Sequence, residues 1–311
     1  MDLLSVLRQR IEAVPAGDYS LGLRAVLQHI EVAVQHLERG TRTPDETAFT
    51  DAIYRTNQAF EGSLKEAYRV IAGKDPANVR PFDIETYFQE HSPLRARVLA
   101  QLSNYRTEWR NPATHDYRLD FNEDEALLAI VSVCAFAIVL IDQITEKLSF
   151  EAAKAATRST LPSVNPRKPL ADQVADALQQ FRTSPSPART HDLVREAELL
   201  GALAGYLTSA IPGATVDTEP DLGSAAHPDL IVTHGDERLI VEVKRARHVV
   251  GPLRQQFLAQ VSHYIAITGI SEALIYGHSS DIDLELVREE YQLPGVKARI
   301  VILWPRHDKK K

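Results

Sequence analysis

Apolar positions recur every three to four residues through the first half of the chain. After a stretch rich in proline and serine, they change to short runs that alternate or are wholly apolar. In residues 1–150 the pattern predicts helices over roughly 3–13, 20–39, 44–72, 82–90, 93–110 and 123–148, and nothing in this half alternates like a strand. Thr43, Pro44 and Glu46 read as a capping box opening the third helix, and Asn122 with Glu125 as the cap of the last. From Ala126 to Ile141 that helix is apolar on every side, which demands burial on every side, in a bundle or a dimer interface. These 16 residues fall short of a membrane span, and Asp142 and Glu146 follow at once without a basic flank, so no membrane is expected. Residues 151–190 carry the clusters Thr160–Pro166 and Thr183–Pro187 around a short helix near 168–182 and read as a linker. From 191 the order is helix, strand, hairpin, helix, strand. The expected fold is therefore multidomain: an all-α bundle over 1–150, then an α/β domain with a central mixed sheet over 191–311.

The most informative chemistry sits in the hairpin. Pro228-Asp229-Leu230-Ile231-Val232 and Arg238-Leu239-Ile240-Val241-Glu242-Val243-Lys244 flank the turn His234-Gly235-Asp236-Glu237. Alternation points Leu239, Val241 and Val243 one way and Glu242 and Lys244 the other. Burying a glutamate and a lysine in an apolar strand costs several kcal/mol unless they are paired or metal-bound. Asp229 and Glu242 are oxygen ligands suited to a hard cation that keeps waters in its shell, and Lys244 is suited to orienting or deprotonating an attacking water.

This arrangement resembles the PD-(D/E)xK nuclease superfamily, which has the restriction-endonuclease-like fold. The resemblance implies a phosphodiesterase dependent on Mg²⁺ or Mn²⁺, with Asp229, Glu242 and the Val243 backbone carbonyl on the metal. Members often add an acid from the first helix. In the helix expected over His191 to Ile211, Glu196 sits at the edge of the apolar face and Glu198 on the opposite side. Downstream, Gly251-Pro252 opens a helix carrying Gln260 and Tyr264 on a common face. That pair is similar to the Gln-x-x-x-Tyr motif of RecB-like members.

A second motif, Arg110-Asn111-Pro112-Ala113-Thr114-His115, follows a predicted helix that Pro112 should break or kink. Arg110 offers a permanent planar cation for phosphate, His115 a proton exchanged near neutral pH, and Asn111 a hydrogen-bonding side chain to orient either. It resembles the Arg-x4-His signature of HEPN domains, α-helical bundles many of which are dimeric, metal-independent ribonucleases. That implies attack by the ribose 2′-OH and a homodimer through residues 1–150.

Composition narrows the picture. A net charge of −7 excludes coating of nucleic acid by bulk electrostatics, so binding of DNA or RNA must use local clusters. The candidates are Arg245 and Arg247 beside the metal site, Arg254 on the next helix, and Arg106 one turn before Arg110. One cysteine, Cys134, excludes a disulfide framework and a cysteine-rich zinc site, and Met1 to Arg10 has no signal-peptide core. The expected protein is cytoplasmic. Joined, the two motifs resemble a prokaryotic anti-phage or abortive-infection effector, with a further defence subunit or an activating ligand as partner. Two alternatives stay open. The N-terminal half serves only to dimerise or to sense a nucleotide for a C-terminal DNase, or the whole chain is an inactive nucleic-acid-binding subunit.

Overall fold

The computed structural model describes residues 2–91, 94–115, 120–158, 164–182, 195–223, 226–245, 251–279, 281, 284–293 and 297–306, without the side chains of 114, 115, 158, 251, 252 and 306. Helices α1 (Leu3–Glu12), α2 (Ser20–Arg42), α3 (Thr47–Ile71), α4 (Pro81–His91), α5 (Ala96–Tyr105), α6 (Asn111–His115) and α7 (Glu123–Arg158) come first. They are followed by α8 (Leu170–Phe181), α9 (Glu196–Ala210), β1 (Thr215–Thr218), β2 (Leu230–His234), β3 (Glu237–Arg245), α10 (Gly251–Thr268), β4 (Glu272–His278), β5 (Glu285–Gln292) and β6 (Arg299–Arg306). The chain divides into two compact units, Met1–Lys147 and Leu148–Lys311.

In the first unit α2 packs along α3, and Leu23, Val26, Ile30, Ile53, Phe60, Leu64, Ile84 and Phe88 form its buried interior. Phe60 stacks on Tyr105 at 4.7 Å and meets Phe136 of α7 at 5.1 Å. The expected capping box at Thr43 is absent. Thr43 instead closes α2, its hydroxyl and its N–H both donating to the Arg39 carbonyl, and α3 begins at Thr47. At Asn122 the reciprocal cap does form: Asn122 N–H donates to Glu125 at 2.9 Å, and Glu125 N–H to the Asn122 side chain at 3.0 Å.

Pro112 does not break the helix before the motif. A π-helical turn over Arg106–Arg110 joins α5 to α6, and the Asn111 N–H reaches back five residues to the Arg106 carbonyl. The wider turn lets the helical path pass a residue that lacks an N–H and crowds the preceding turn. Nor is α7 buried all round. Ala126, Ala129, Val133, Phe136, Ala137 and Leu140 face inward, while Leu127, Leu128 and Val131 are exposed. The helix is also longer than expected, running on to Arg158, so its length no longer argues against a span. Among the described residues it is the one helix long and apolar enough to cross a membrane, with half of its most apolar window buried inside the protein. A core helix of a soluble protein meets the same criterion.

The second unit is built on a sheet of strand order β1-β2-β3-β4-β6-β5, antiparallel from β1 to β3, parallel from β3 through β4 to β6, and antiparallel at β5. The β2–β3 hairpin pairs His234 with Glu237 around a turn in which Gly235 takes a positive φ of 58°. Leu230, Val232, Leu239, Val241, Leu274 and Leu303 bury one face against α8 and α9. Ile231, Ile240, Ile275, Ile300 and Ile302 bury the other against Val261, Tyr264 and Ile265 of α10. The helix expected inside a linker is α8. Leu170, Val174, Leu178 and Phe181 are in the core, so it is a structural layer of this unit rather than a tether. Residues 159–163 and 183–194 of that segment lie outside the described residues.

Candidate active site

Three elements converge at the C-terminal end of β3: the residues just before β2, the end of β3 itself, and the sheet-facing side of α10. Alternation along β3 places Val241 in the α8–α9 core and turns Glu242, only 2 % exposed, toward α10. Asp229, the residue before β2, accepts a hydrogen bond from the Val243 N–H at 2.6 Å, which ties it to the neighbouring strand beside Glu242. Its own carbonyl accepts from the Glu219 N–H at 2.8 Å, and Glu219 holds a left-handed φ of 41° to make that bond. The Tyr264 hydroxyl donates to the His227 carbonyl at 3.2 Å, fixing the same loop from the α10 side.

Around Glu242 the polar groups form one network. Lys244 Nζ donates to Glu242 Oε1, and Gln260 Nε2 reaches the same oxygen at 2.9 Å and the Tyr264 hydroxyl at 2.7 Å. Glu242 Oε2 is buried with no hydrogen-bond partner. Burial, then the charge of Glu242, pushes Asp229 up to about 7 against the opposing Val243 N–H and Lys244, and Glu196 adds to the rise. Burial likewise raises Glu242, against Lys244 and Gln260. Two carboxylates crowded in a dry site cannot both ionise cheaply, so the site is suited to a proton or a cation.

The donor set fits a hard divalent cation that keeps several waters. It has two adjacent carboxylates, one with an oxygen that no protein group satisfies, and such ions are often held by one or two carboxylates plus substrate phosphate. Among the described residues no group of three or more His, Cys, Asp or Glu is placed to enclose a metal. Glu196 opens α9 in an exposed position, near enough for its charge to act on Asp229.

Asp229, Glu242, Lys244, Gln260 and Tyr264 are thus brought together, with Glu196 at the margin. The basic candidates are dispersed. Arg245 is exposed at the end of β3, and Arg247 lies outside the described residues. Arg254 is paired with Glu289 and stacked on Tyr291, 5.0 Å from the ring centre. In the first unit Arg106 is bonded at 3.0 Å to the buried Glu85, and Arg110 lies 3.5 Å from Glu61 and 3.2 Å from the Asn111 side-chain oxygen. His115 ends α6, and its side chain lies outside the described residues. Sequence reasoning missed Phe257, whose ring lies 5.3 Å from Lys244 Nζ. The signal was available, because Phe257 precedes Gln260 by three residues and shares its helix face. Comparison with protein-family models, curated proteins and solved structures returns no match to this chain.

Proposed function

We propose that the second unit hydrolyses nucleic-acid phosphodiester bonds with a divalent metal, Mg²⁺ or Mn²⁺, at Asp229 and Glu242. The observation that carries this reading is the pair of mutually repelling carboxylates beside Lys244, Asp229 half-buried and Glu242 buried, with Glu242 Oε2 left unsatisfied. The ligands would be Asp229, Glu242 and the Val243 carbonyl, with Glu196 reaching the ion directly or through water. The bound metal supplies charge to offset what develops on the phosphate. Lys244 orients the attacking water or takes its proton, and Gln260 and Tyr264 hold Glu242 and the Asp229 loop in place. Incubation with duplex DNA, single-stranded DNA and RNA, in Mg²⁺ and in EDTA, tests the reading. Cleavage should require the metal and vanish in both Asp229→Ala and Lys244→Ala. Cleavage unchanged in both variants would reject it.

For the first unit the resemblance favours a metal-independent ribonuclease, built from Arg110, Asn111 and His115 of two subunits around one groove, in a cytoplasmic anti-phage effector. A second reading has the unit only dimerise or sense an activating ligand. It is favoured by Arg106 and Arg110 lying against Glu85 and Glu61 of the same chain. RNA cleavage that survives EDTA and is lost in His115→Ala supports the ribonuclease, and RNA cleavage that needs Mg²⁺ and tolerates His115→Ala supports the second reading. If neither unit cuts, titration with Mn²⁺ separates a metal-binding but inactive subunit of a defence complex from a site that binds no metal.

A further inference from the structure

A lysine side chain loses much rotamer freedom when its ammonium is held, and among the described residues the Lys244 ammonium donates to one group, Glu242. The ammonium also has an aromatic neighbour. Lys244 Nζ lies 5.3 Å from the centre of the Phe257 ring, inside the range of about 6 Å over which a ring face attracts a cation. Phe257 is backed in turn by Trp304 of β6, with ring centres 6.0 Å apart and planes at 28°. Gly277, paired with Lys244 across β3 and β4, makes room for that backing. A Cβ at 277 would lie 2.6 Å from Trp304 Cε3 and 2.7 Å from Pro305 Cδ, so any side chain there would displace the indole. Residues from α10, β6 and β4, distant from one another in sequence, therefore form one stack, and its Phe257 ring lies against the Lys244 ammonium.

We propose that Phe257, backed by Trp304 and admitted by Gly277, is a positioning residue that fixes the Lys244 ammonium against the Asp229–Glu242 pair. The catalytic part of this inference rests on the metal-dependent reading above. Phe257 acts through Lys244 and does not itself touch the reacting atoms. The competing account is that Phe257 only fills space, since it also packs against the apolar face under α10.

A double-mutant cycle in the full-length protein decides between them. Phe257→Leu keeps apolar bulk and removes the ring, and Lys244→Met keeps the stem and removes the charge. If the ring holds the ammonium, Phe257→Leu lowers the urea midpoint clearly more in the wild type than in the Lys244→Met background. Equal losses in both backgrounds would overturn the proposal. This readout needs no activity, so it separates failure of the positioning role from failure of the nuclease reading. In Mg²⁺-dependent DNA cleavage, Phe257→Leu should lower kcat about tenfold with KM nearly unchanged, and Phe257→Tyr should restore it. Wild-type kcat in Phe257→Leu, in an enzyme that does cut, would equally overturn it.

Discussion

In the unfolded chain the Asp229 carboxyl titrates near 3.8, whereas in the folded protein burial and Glu242 hold it at about 7. Folding therefore disfavours its ionised form. In metal-free protein this group's contribution to stability is full below about pH 3.8 and is lost as the pH rises through 7. Asp229→Asn, which can still accept from the Val243 N–H, should flatten that dependence. In EDTA at pH 8 it should raise stability by on the order of 2 kcal/mol while abolishing cleavage, as urea titrations at pH 5 and pH 8 would show. Glu196 is the α9 acid whose charge raises Asp229, so Glu196→Ala should reduce cleavage more than Glu198→Ala. The reverse order in initial rates would mean that the wrong acid at the start of α9 has been assigned. The carboxylates and Lys244 were legible in sequence because strand alternation is a local rule. The fate of Arg106 and Arg254 was not, because their partners Glu85 and Glu289 lie 21 and 35 residues away (106 − 85 and 289 − 254) and are reached only through tertiary packing.

Elements were read correctly where their pattern agreed with their surroundings, and misread where flanking residues dominated. The prolines around α8 suggested a tether, yet its own spacing of Leu170, Val174, Leu178 and Phe181 already described one apolar face. β5 was missed because Arg288, Glu289 and Glu290 interrupt any apolar alternation. As an edge strand it holds its charges in a network in which Asp172 of α8 meets Arg288 and Arg299, and Glu290 bonds to both arginines. The pairing of α9 with the end of α7 makes a sharper prediction. An ideal Cβ at Gly205 would lie 2.2 Å from the Phe150 carbonyl oxygen, a backbone atom that cannot swing aside. In an open helix Gly→Ala gains about 1 kcal/mol, but here overpacking should win. Gly205→Ala should destabilise the protein by about 1–3 kcal/mol in chemical denaturation, and a stabilised variant would contradict the close approach.

On the scale of the whole molecule, the exposed Leu127, Leu128 and Val131 lie on a single side of α7, in a stretch without a charged residue from Ala126 to Ile141. Contiguous apolar surface of this kind marks an interface. We expect a two-fold homodimer through the first unit, seen by sedimentation at micromolar concentration and dissociated by Leu128→Glu. A wild-type monomer under those conditions would count against both the dimer and the shared ribonuclease groove. Within the second unit the proposed metal ligands just before β2 and on β3, together with the α10 residues that brace them, fall between Asp229 and Tyr264, one hairpin and the helix after it. Short loops close fastest, so this segment should take shape early. Ile240→Val in the hairpin should then slow refolding, while Val301→Ala in β6 should mainly hasten unfolding, as stopped-flow chevrons would show. Trp304 arrives only with β6, the sixth strand in chain order. The carboxylates could thus gather on a half-built sheet, whereas the ring behind Phe257 comes with β6, so on the proposed reading the lysine is braced, and cutting begins, only after β6 has docked on β4.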